Sequence, residues 1–529
     1  MAPITSKVEI ELAGRGNGWT EITSDVLSPV RIGYGIRGAG PGDRTASSGS
    51  MTFLLNNSTS NSVGRLGYYS PGGSEARVGW TLGVRVRASF QDPATSTWYT
   101  RFVGSVTTIN PVPGISGPRT VQVVATDWMD EAARSTVSGL ATQFDKRSDE
   151  IITLLVNNVT RAPEGTSIAT GRETFAYAID TARDDRPNPV LQEIARVTNS
   201  ELGYTYVKGD GTVVFEARSD RVSTADDATF DNDMSGLSVS VSRDAVISRM
   251  QVVTHPRTVD SSTQVLYRLQ STPLIDPNAT LDIVGGYTDP SNRAQRIGGK
   301  SMVTPVATTD YTANSLANGS GTNLTSSITV TATFASNSAR FTVTNTGSVP
   351  AYLTKLNARG IGIYDYEQTV AEAEDATAAA DFGEQVVALD MPYQTDVAMG
   401  VDAARYLLSL YSATEVGIWS LGTAGSSELG VTTQLAYRVL TTVGSVSVAP
   451  KTAALQTQIL ARDIGDRVGL QETVTGLSTS FYIHAVDLEV RAPGVPFVTW
   501  TLAPADTTTY WSLGSAGASE LGLTTRLSF

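Results

Sequence analysis

Chemistry needs reactive side chains at workable spacing, and this chain offers few. Its two histidines, His255 and His484, lie far apart: the first precedes Pro256 after a strand-like run, and the second sits inside the run FYIHAV. Each reads as a structural or surface histidine rather than a general base. There is no His-Glu-x-x-His for zinc, no Gly-x-Ser-x-Gly elbow and no cysteine, so zinc-protease, serine-elbow and thiolate chemistry are all without a motif. Asp231-Asn232-Asp233-Met234-Ser235-Gly236 starts like a calcium loop, but its twelfth position is Ser242 where a bidentate glutamate is needed. Gly38-Ala39-Gly40-Pro41-Gly42 lacks the lysine and the strand-to-helix setting of a phosphate loop, and reads as a flexible hairpin tip. The remaining acid/base candidates are Asp184 with Asp185 and the cluster Glu372, Glu374 and Asp375, which lies in an Ala-rich, helix-like stretch and reads as a solvated face. The residues predict no enzyme, no cofactor and no metal.

The sharpest signal is a duplication. WSLGTAGSSELGVTTQL, starting at Trp419, returns as WSLGSAGASELGLTTRL, starting at Trp511, with 13 of 17 positions identical. The spacing far exceeds solenoid periods, so this is a repeated tag and not an array. One reading makes each copy a docking element, carried by Trp419, Leu421, Gly422, Leu429 and Gly430 and by Trp511, Leu513, Gly514, Leu521 and Gly522. The other makes each Trp a plug that seals the edge of a barrel.

The elements that would position these residues are mostly strands. A chain of 529 residues is too long for one core. Its 48 glycines, with many Thr and Ser, favour turns and β-structure. The organising stretch, residues 188–219, reads as one amphipathic helix after Pro189, followed by a hairpin turning at Lys208-Gly209-Asp210-Gly211. Before it, alternation in 8–12, 52–55, 83–90, 99–109 and 120–125 predicts short antiparallel strands; Asp127 caps a helical piece and 148–157 forms a second helix. After it, strands are expected at 237–241, 248–254, 327–334, 339–344, 466–470, 480–490 and 497–502, with helices at 365–382 and 396–411. The predicted class is mainly β: two tube-like antiparallel β-barrel halves around an α+β insertion, plus a small inserted β-sandwich.

The expected boundaries are an N-terminal barrel at 1–130 and an α+β domain at 131–222. The first part of a second barrel follows at 223–295, and the inserted sandwich at 296–360. Helices and the rest of the second barrel occupy 361–505, with a Trp-repeat segment at about 415–450, and a Trp-repeat tail ends the chain at 506–529. No apolar run approaches the roughly 18 to 20 residues of a membrane span, and the N-terminus starts no signal peptide, which points to an unprocessed chain folded in a cytoplasm. A net charge of -13 argues against gripping nucleic acid, which needs basic patches, and suits a surface that nucleic acid slides past.

Several patterns together carry a family resemblance. Trp19-Thr20-Glu21-Ile22-Thr23 before Asp25-Val26-Leu27, then RIGYGIRG from Arg31, GSMTFLLN from Gly49, Phe102-Val103-Gly104 and VQVVATDW from Val121 resemble the N-terminal region of phage tail-hub proteins, also called baseplate-hub, tail-tip or minor tail proteins. LQEIARVTNSELGYTYVKGDGTVVFEAR is similar to that family's helix and hairpin; DIGDRV, Phe481-Tyr482-Ile483 and VTWTLAPA resemble its last barrel. The resemblance implies a homotrimer whose two barrels per chain make a ring of six, closing a six-fold tail tube and adapting it to a three-fold tip on the path of DNA ejection. It implies as partners a distal tail or tail-tube protein, the tape-measure protein and other tail-tip or fibre proteins, in a virion assembled in the host cytoplasm. Part of the acidic excess is then expected to line the channel. A host-receptor or glycan-binding adhesin is the alternative, resting on the inserted sandwich and on Tyr68 and Tyr69 as exposed aromatics.

Overall fold

The computed structural model describes residues 2–112, 119–137, 140, 142–179, 188–221, 225–240, 242–412, 415–420, 434–439, 442–505, 509–510 and 525–526. The N-terminal strands are β1 (Thr5–Glu11), β2 (Val26–Gly35), β3 (Ser47–Asn56), β4 (Arg85–Gln91), β5 (Trp98–Pro111) and β6 (Thr120–Thr126). Their alternation turns one apolar row inward, for example Met51, Phe53 and Leu55 of β3. In β1 the last two residues of the polar row are buried as well. Glu9 and Glu11 lie opposite Arg87 and Arg85 of β4, and each carboxylate is paired with that guanidinium.

Helix α1 (Trp128–Arg134) starts where Asp127 accepts from the Met129 amide at 3.0 Å, and α2 (Ser148–Asn158) follows. Helix α3 (Val190–Glu201) starts after Pro189 and stops at Leu202, whose φ of 60° is left-handed. The hairpin β7 (Tyr204–Val207) and β8 (Thr212–Glu216) turns through Gly211, at φ 85°. All four elements lie where the sequence places them.

Beyond come β9 (Gly236–Ser240) and β10 (Arg249–Thr254). Between residues 257 and 365 lies a unit with its own core, including Leu266, Tyr287, Phe341, Val343, Leu353 and Leu356. One of its sheets contains β11 (Thr280–Gly286), β12 (Ile328–Phe334) and β13 (Ser338–Asn345); the other is assembled on the long β14 (Ala351–Asp365). This corrects the boundary expected at 296. The strands Arg257–Val259, Gln264–Arg268 and Leu274–Ile275 pair with β14, so they belong to the insertion and not to a second barrel.

A second correction follows. Helix was expected across 365–382, but β15 (Thr369–Glu374) is a strand antiparallel to β10, and only α4 (Ala376–Phe382) is helical. Strand β16 (Val386–Met391) pairs with the other edge of β10, and α5 (Val397–Tyr411), capped by Asp396, buries Ala403, Ala404 and Leu407 on this sheet.

The chain continues with β17 (Glu415–Ser420), β18 (Gln434–Val439), β19 (Thr442–Val448), an unforeseen helix α6 (Ala453–Ala461) capped by Thr452, then β20 (Arg467–Glu472), β21 (Leu477–Arg491) and β22 (Val495–Pro504). These last strands do not form a separate body. Residues 30–35 of β2 pair antiparallel with 485–490 of β21, giving one sheet in the order β9-β19-β22-β21-β2-β3-β6-β5-β4-β1. One apolar core runs beneath it from Val8 to Leu502. The fold is mainly β with α+β and β-sandwich insertions.

Candidate functional site

The β2–β21 seam is where the two halves and the α+β hairpin meet, and charge is concentrated beneath it. Asp463, just before β20, accepts from the Tyr34 hydroxyl at 3.0 Å, the Gly209 amide at 3.1 Å and its neighbour Ile464 at 2.8 Å. Arg101 of β5 completes the shell with Nη1 at 3.3 Å, and its guanidinium lies 5.8 Å from the Tyr34 ring centroid. Arg101 is only 2% exposed. One carboxylate thus joins β2, β5, the hairpin turn and the C-terminal half. Burial first, and the Asp463 charge besides, push the Tyr34 hydroxyl well above its usual range.

A second cluster packs against the first. His484 of β21 is buried, with Nδ1 3.0 Å from the Gly38 carbonyl and Nε2 2.9 Å from Nη1 of Arg221. Because a guanidinium can only donate, Nε2 accepts and the proton sits on Nδ1, donated to Gly38. Burial, and then the Arg221 charge, lower the His484 pKa to about 3. Arg221 also binds Glu216 at 2.7 Å and lies 3.5 Å from the Tyr204 ring centroid; Arg44 covers the same ring at 4.9 Å and donates to the Leu202 carbonyl at 2.7 Å. These groups hold one another, and no reacting atom is presented to solvent.

The segment 38–42 is therefore no free hairpin tip: Gly38 binds His484, Arg44 donates to Pro41, and Asp43 accepts from the Gly40 amide. Other predicted sites resolve similarly. His255 sits at the insertion boundary, 2.7 Å from an Asp390 carboxylate oxygen. Glu372 and Glu374 lie on strand β15, not on a helix, and meet Gln251 and Arg249 across it, while Asp375 caps α4. Asn232 binds the backbone of Thr473 and the side chain of Asp231, making the calcium-like segment a strand connector. Among the described residues no cluster of His, Asp and Glu is arranged to hold a metal, and no helix is long and apolar enough to cross a membrane. Asp184 and Asp185 lie outside the described residues, as do Leu421, Gly422, Leu429, Gly430, Trp511, Leu513, Gly514, Leu521 and Gly522. Trp419 falls in strand β17, in register with Leu435 of β18.

A cavity of about 620 Å³ beside α1 is lined by Arg15, Arg85, Asp127, Trp128, Glu131 and Arg161. Burial raises the Asp127 pKa to about 7, yet this group is the cap of α1. Arg161 is paired with Glu131 at 3.1 Å and Arg15 donates to the Ala162 and Pro163 carbonyls, so both guanidiniums are engaged by groups of the cavity itself.

Tyr69 corrects another expectation, being fully buried, and Tyr68 packs edge-on against it. Its hydroxyl donates to Asp25 at 2.6 Å, which also takes the Ser62 amide and hydroxyl at 2.6 Å each. Asp25 thus pins the long loop 57–83. Asp25→Ala is expected to make this loop the first site of limited proteolysis, with the sheet left intact. Unchanged protection would mean that the packing of Tyr69 on Trp80 holds the loop unaided.

No family model matches the chain, and no curated protein matches its sequence. Among solved structures its fold is similar to the 43 kDa tail protein of prophage MuSo2 from Shewanella oneidensis, at 7% identity, with 95% of this chain and 99% of that chain covered and a TM-score of 0.48. It is also similar to the tail protein from Neisseria meningitidis MC58, at 9% identity, 95% and 96% coverage and a TM-score of 0.46. A third likeness is to the prophage tail protein gp18 from Listeria monocytogenes EGD-e, at 9% identity, 94% coverage of each chain and a TM-score of 0.40.

Proposed function

We propose that this chain is a structural component of a phage tail tip: a homotrimeric hub that closes a six-fold tail tube, adapts it to a three-fold tip and walls part of the channel for DNA ejection. The observation that carries the reading is the seam. Two sets of strands, one from each half of the chain, hydrogen-bond into a single sheet over a single core. Three copies of such a doubled unit supply six wall segments, which is how a three-fold assembly meets a six-fold one. Among the described residues the buried charges cross-link elements of both halves, which suits a structural part. Tail-tube, tape-measure and tip or fibre proteins are its partners in this reading, in the virion, and the two Trp motifs are docking tags for them. The adhesin reading loses the exposed aromatic pair that supported it, since Tyr69 is buried.

Light scattering on the purified chain over a range of concentrations tests this. The expected result is a species near three times 55.9 kDa, or a monomer converting to it as concentration rises. A monomer throughout would overturn the self-assembling hub.

A further inference from the structure

The insertion between 257 and 365 ends one of its sheets on a bare edge. In the order β11-β13-β12, strand β12 pairs with β13 alone. The ladder fixes which backbone groups are left over. The Thr346 amide donates to Ser327 at 2.8 Å and the Ala335 amide to Ser338 at 2.8 Å, so the odd-numbered residues from 327 to 335 exchange their bonds with the β13 side. The even-numbered residues turn N–H and C=O the other way. Ile328 spends its N–H on the Thr325 carbonyl, closing the turn before the strand. The Ile328 carbonyl and both groups of Val330, Ala332 and Phe334 have no partner among the described residues.

Proteins blunt such edges with a charge, a proline or a bulge, because a free ladder recruits other strands. Strand β12 has none of the three. Its sequence is ITVTATF, no charged residue stands between Asp310 and Arg340, and its register with β13 runs without a shift. The opposite edge strand, β11, carries Asp282 and ends in two glycines. The inner row of β12 is also short of cover: Ile328 and Val330 are buried, but Ala332 and Phe334 on the same face are only half-buried. Thr329, Thr331 and Thr333 form the outer row, and all three are exposed.

We infer that a second copy of this chain adds here, β12 to β12 and antiparallel, with Thr331 facing Thr331 on the two-fold axis. Antiparallel strands exchange bonds between residues directly opposite. Centring on Thr331 sets Val330 against Ala332 and Ile328 against Phe334, so every free N–H meets a free C=O. A slip of one residue sets spent groups against free ones, and a slip of two leaves Phe334 or Ile328 without a mate. On the outer face Thr329 meets Thr333, and cross-strand threonine pairs stabilise a sheet where like charges would not. On the inner face Ala332 and Phe334 gain Val330 and Ile328 of the second copy as neighbours. Each chain carries a net charge of -13, but none of it lies on this strand. The contact is isologous and independent of the hub reading, since it joins two chains whether or not each belongs to a trimer.

The chain has no cysteine, so single thiols report the register. Under mild copper phenanthroline oxidation of the full chain, Thr331→Cys is expected to form a covalent dimer, because such narrow antiparallel pairs bring Cα atoms to about 4.5 Å, within disulfide reach. Thr329→Cys alone is expected not to, its counterpart lying beyond the axis, whereas a mixture of Thr329→Cys and Thr333→Cys should crosslink. Adding Ala332→Pro removes a central outward N–H without touching the ladder to β13, and should cut the Thr331→Cys dimer several-fold. Thr331→Lys, on the exposed row, should stop growing in light scattering at a mass that wild type passes as concentration rises. Equal crosslinking of Thr329→Cys and Thr331→Cys would show chance collision and overturn the inference. No crosslink at 331 at any concentration would also overturn it, leaving the edge to a strand of a different protein. A trimer without the crosslink keeps the hub reading and sinks this one; a crosslinked dimer without a trimer does the reverse.

Discussion

Asp463→Ala is expected to destabilise the protein by about 3 to 5 kcal/mol, because it strands a buried guanidinium. Arg101 is 2% exposed, and Asp463 is the carboxylate facing it, at 3.3 Å. Taking the carboxylate away also orphans the Tyr34 hydroxyl and the Gly209 amide, so three donors from three elements lose one acceptor. Asp463→Asn keeps an acceptor but not the charge, and should fall between wild type and alanine. Adding Arg101→Met to Asp463→Ala should recover most of the loss, since an apolar side chain of similar length needs no counter-charge. Urea unfolding midpoints of wild type, Asp463→Ala, Arg101→Met and the double variant give the coupling directly. Strictly additive single effects would show that the ion pair does not tie the halves together.

What the sequence made legible was whatever repeats locally. Two-residue alternation in 8–12 and the apolar run 52–55 mark the strands observed at 5–11 and 47–56, and the change of period after Asn199, with Asp210-Gly211 at the turn, marks α3 and its hairpin. Residues 369–374 misled because Ala and Glu favour helix, while their pairing with β10 is a long-range fact that overrides propensity. The insertion boundary was hidden for the same reason: β14 gathers short strands that lie up to about a hundred residues upstream of it. The buried cluster was harder still. Arg44, Arg221 and Asp463 each sit beside another charge (Asp43, Asp220 and Arg462) and Arg101 stands alone, so nothing in the sequence groups them, and a charged residue is by default a surface residue. The one hint was His484 within FYIHAV, where strand alternation and apolar neighbours put it in the core. The aromatic pair Tyr68 and Tyr69 misled in the opposite direction, because a glycine-rich loop reads as exposed until Asp25, far upstream, is seen to hold it.

Acid should loosen the seam through His484, and the sign follows from its lowered pKa. In the folded chain the imidazole stays neutral down to about pH 3, whereas in the unfolded chain it takes a proton near 6.5. Between those values the unfolded state binds more protons. Stability supplied by the neutral ring is therefore complete above about pH 6.5 and is lost as the pH falls toward 3, at up to about 1.4 kcal/mol per pH unit. From pH 7.5 to 4.5 the loss amounts to about 2 to 3 kcal/mol. The physical event is a clash of cations: protonated Nε2 would turn an N–H toward Arg221 only 2.9 Å away, under a ring of buried groups that cannot rehydrate it. Glu216 does not relieve it, being already engaged by Arg221 and Tyr206 at 2.7 Å each. His484→Gln offers an amide oxygen to Arg221 and an amide N–H to Gly38 but does not titrate. Its unfolding midpoint should therefore fall less than that of wild type between the two pH values, and titration of the other carboxylates, common to both proteins, cancels in the comparison. Parallel losses in the two proteins would show that His484 is not the group through which acid acts on the seam.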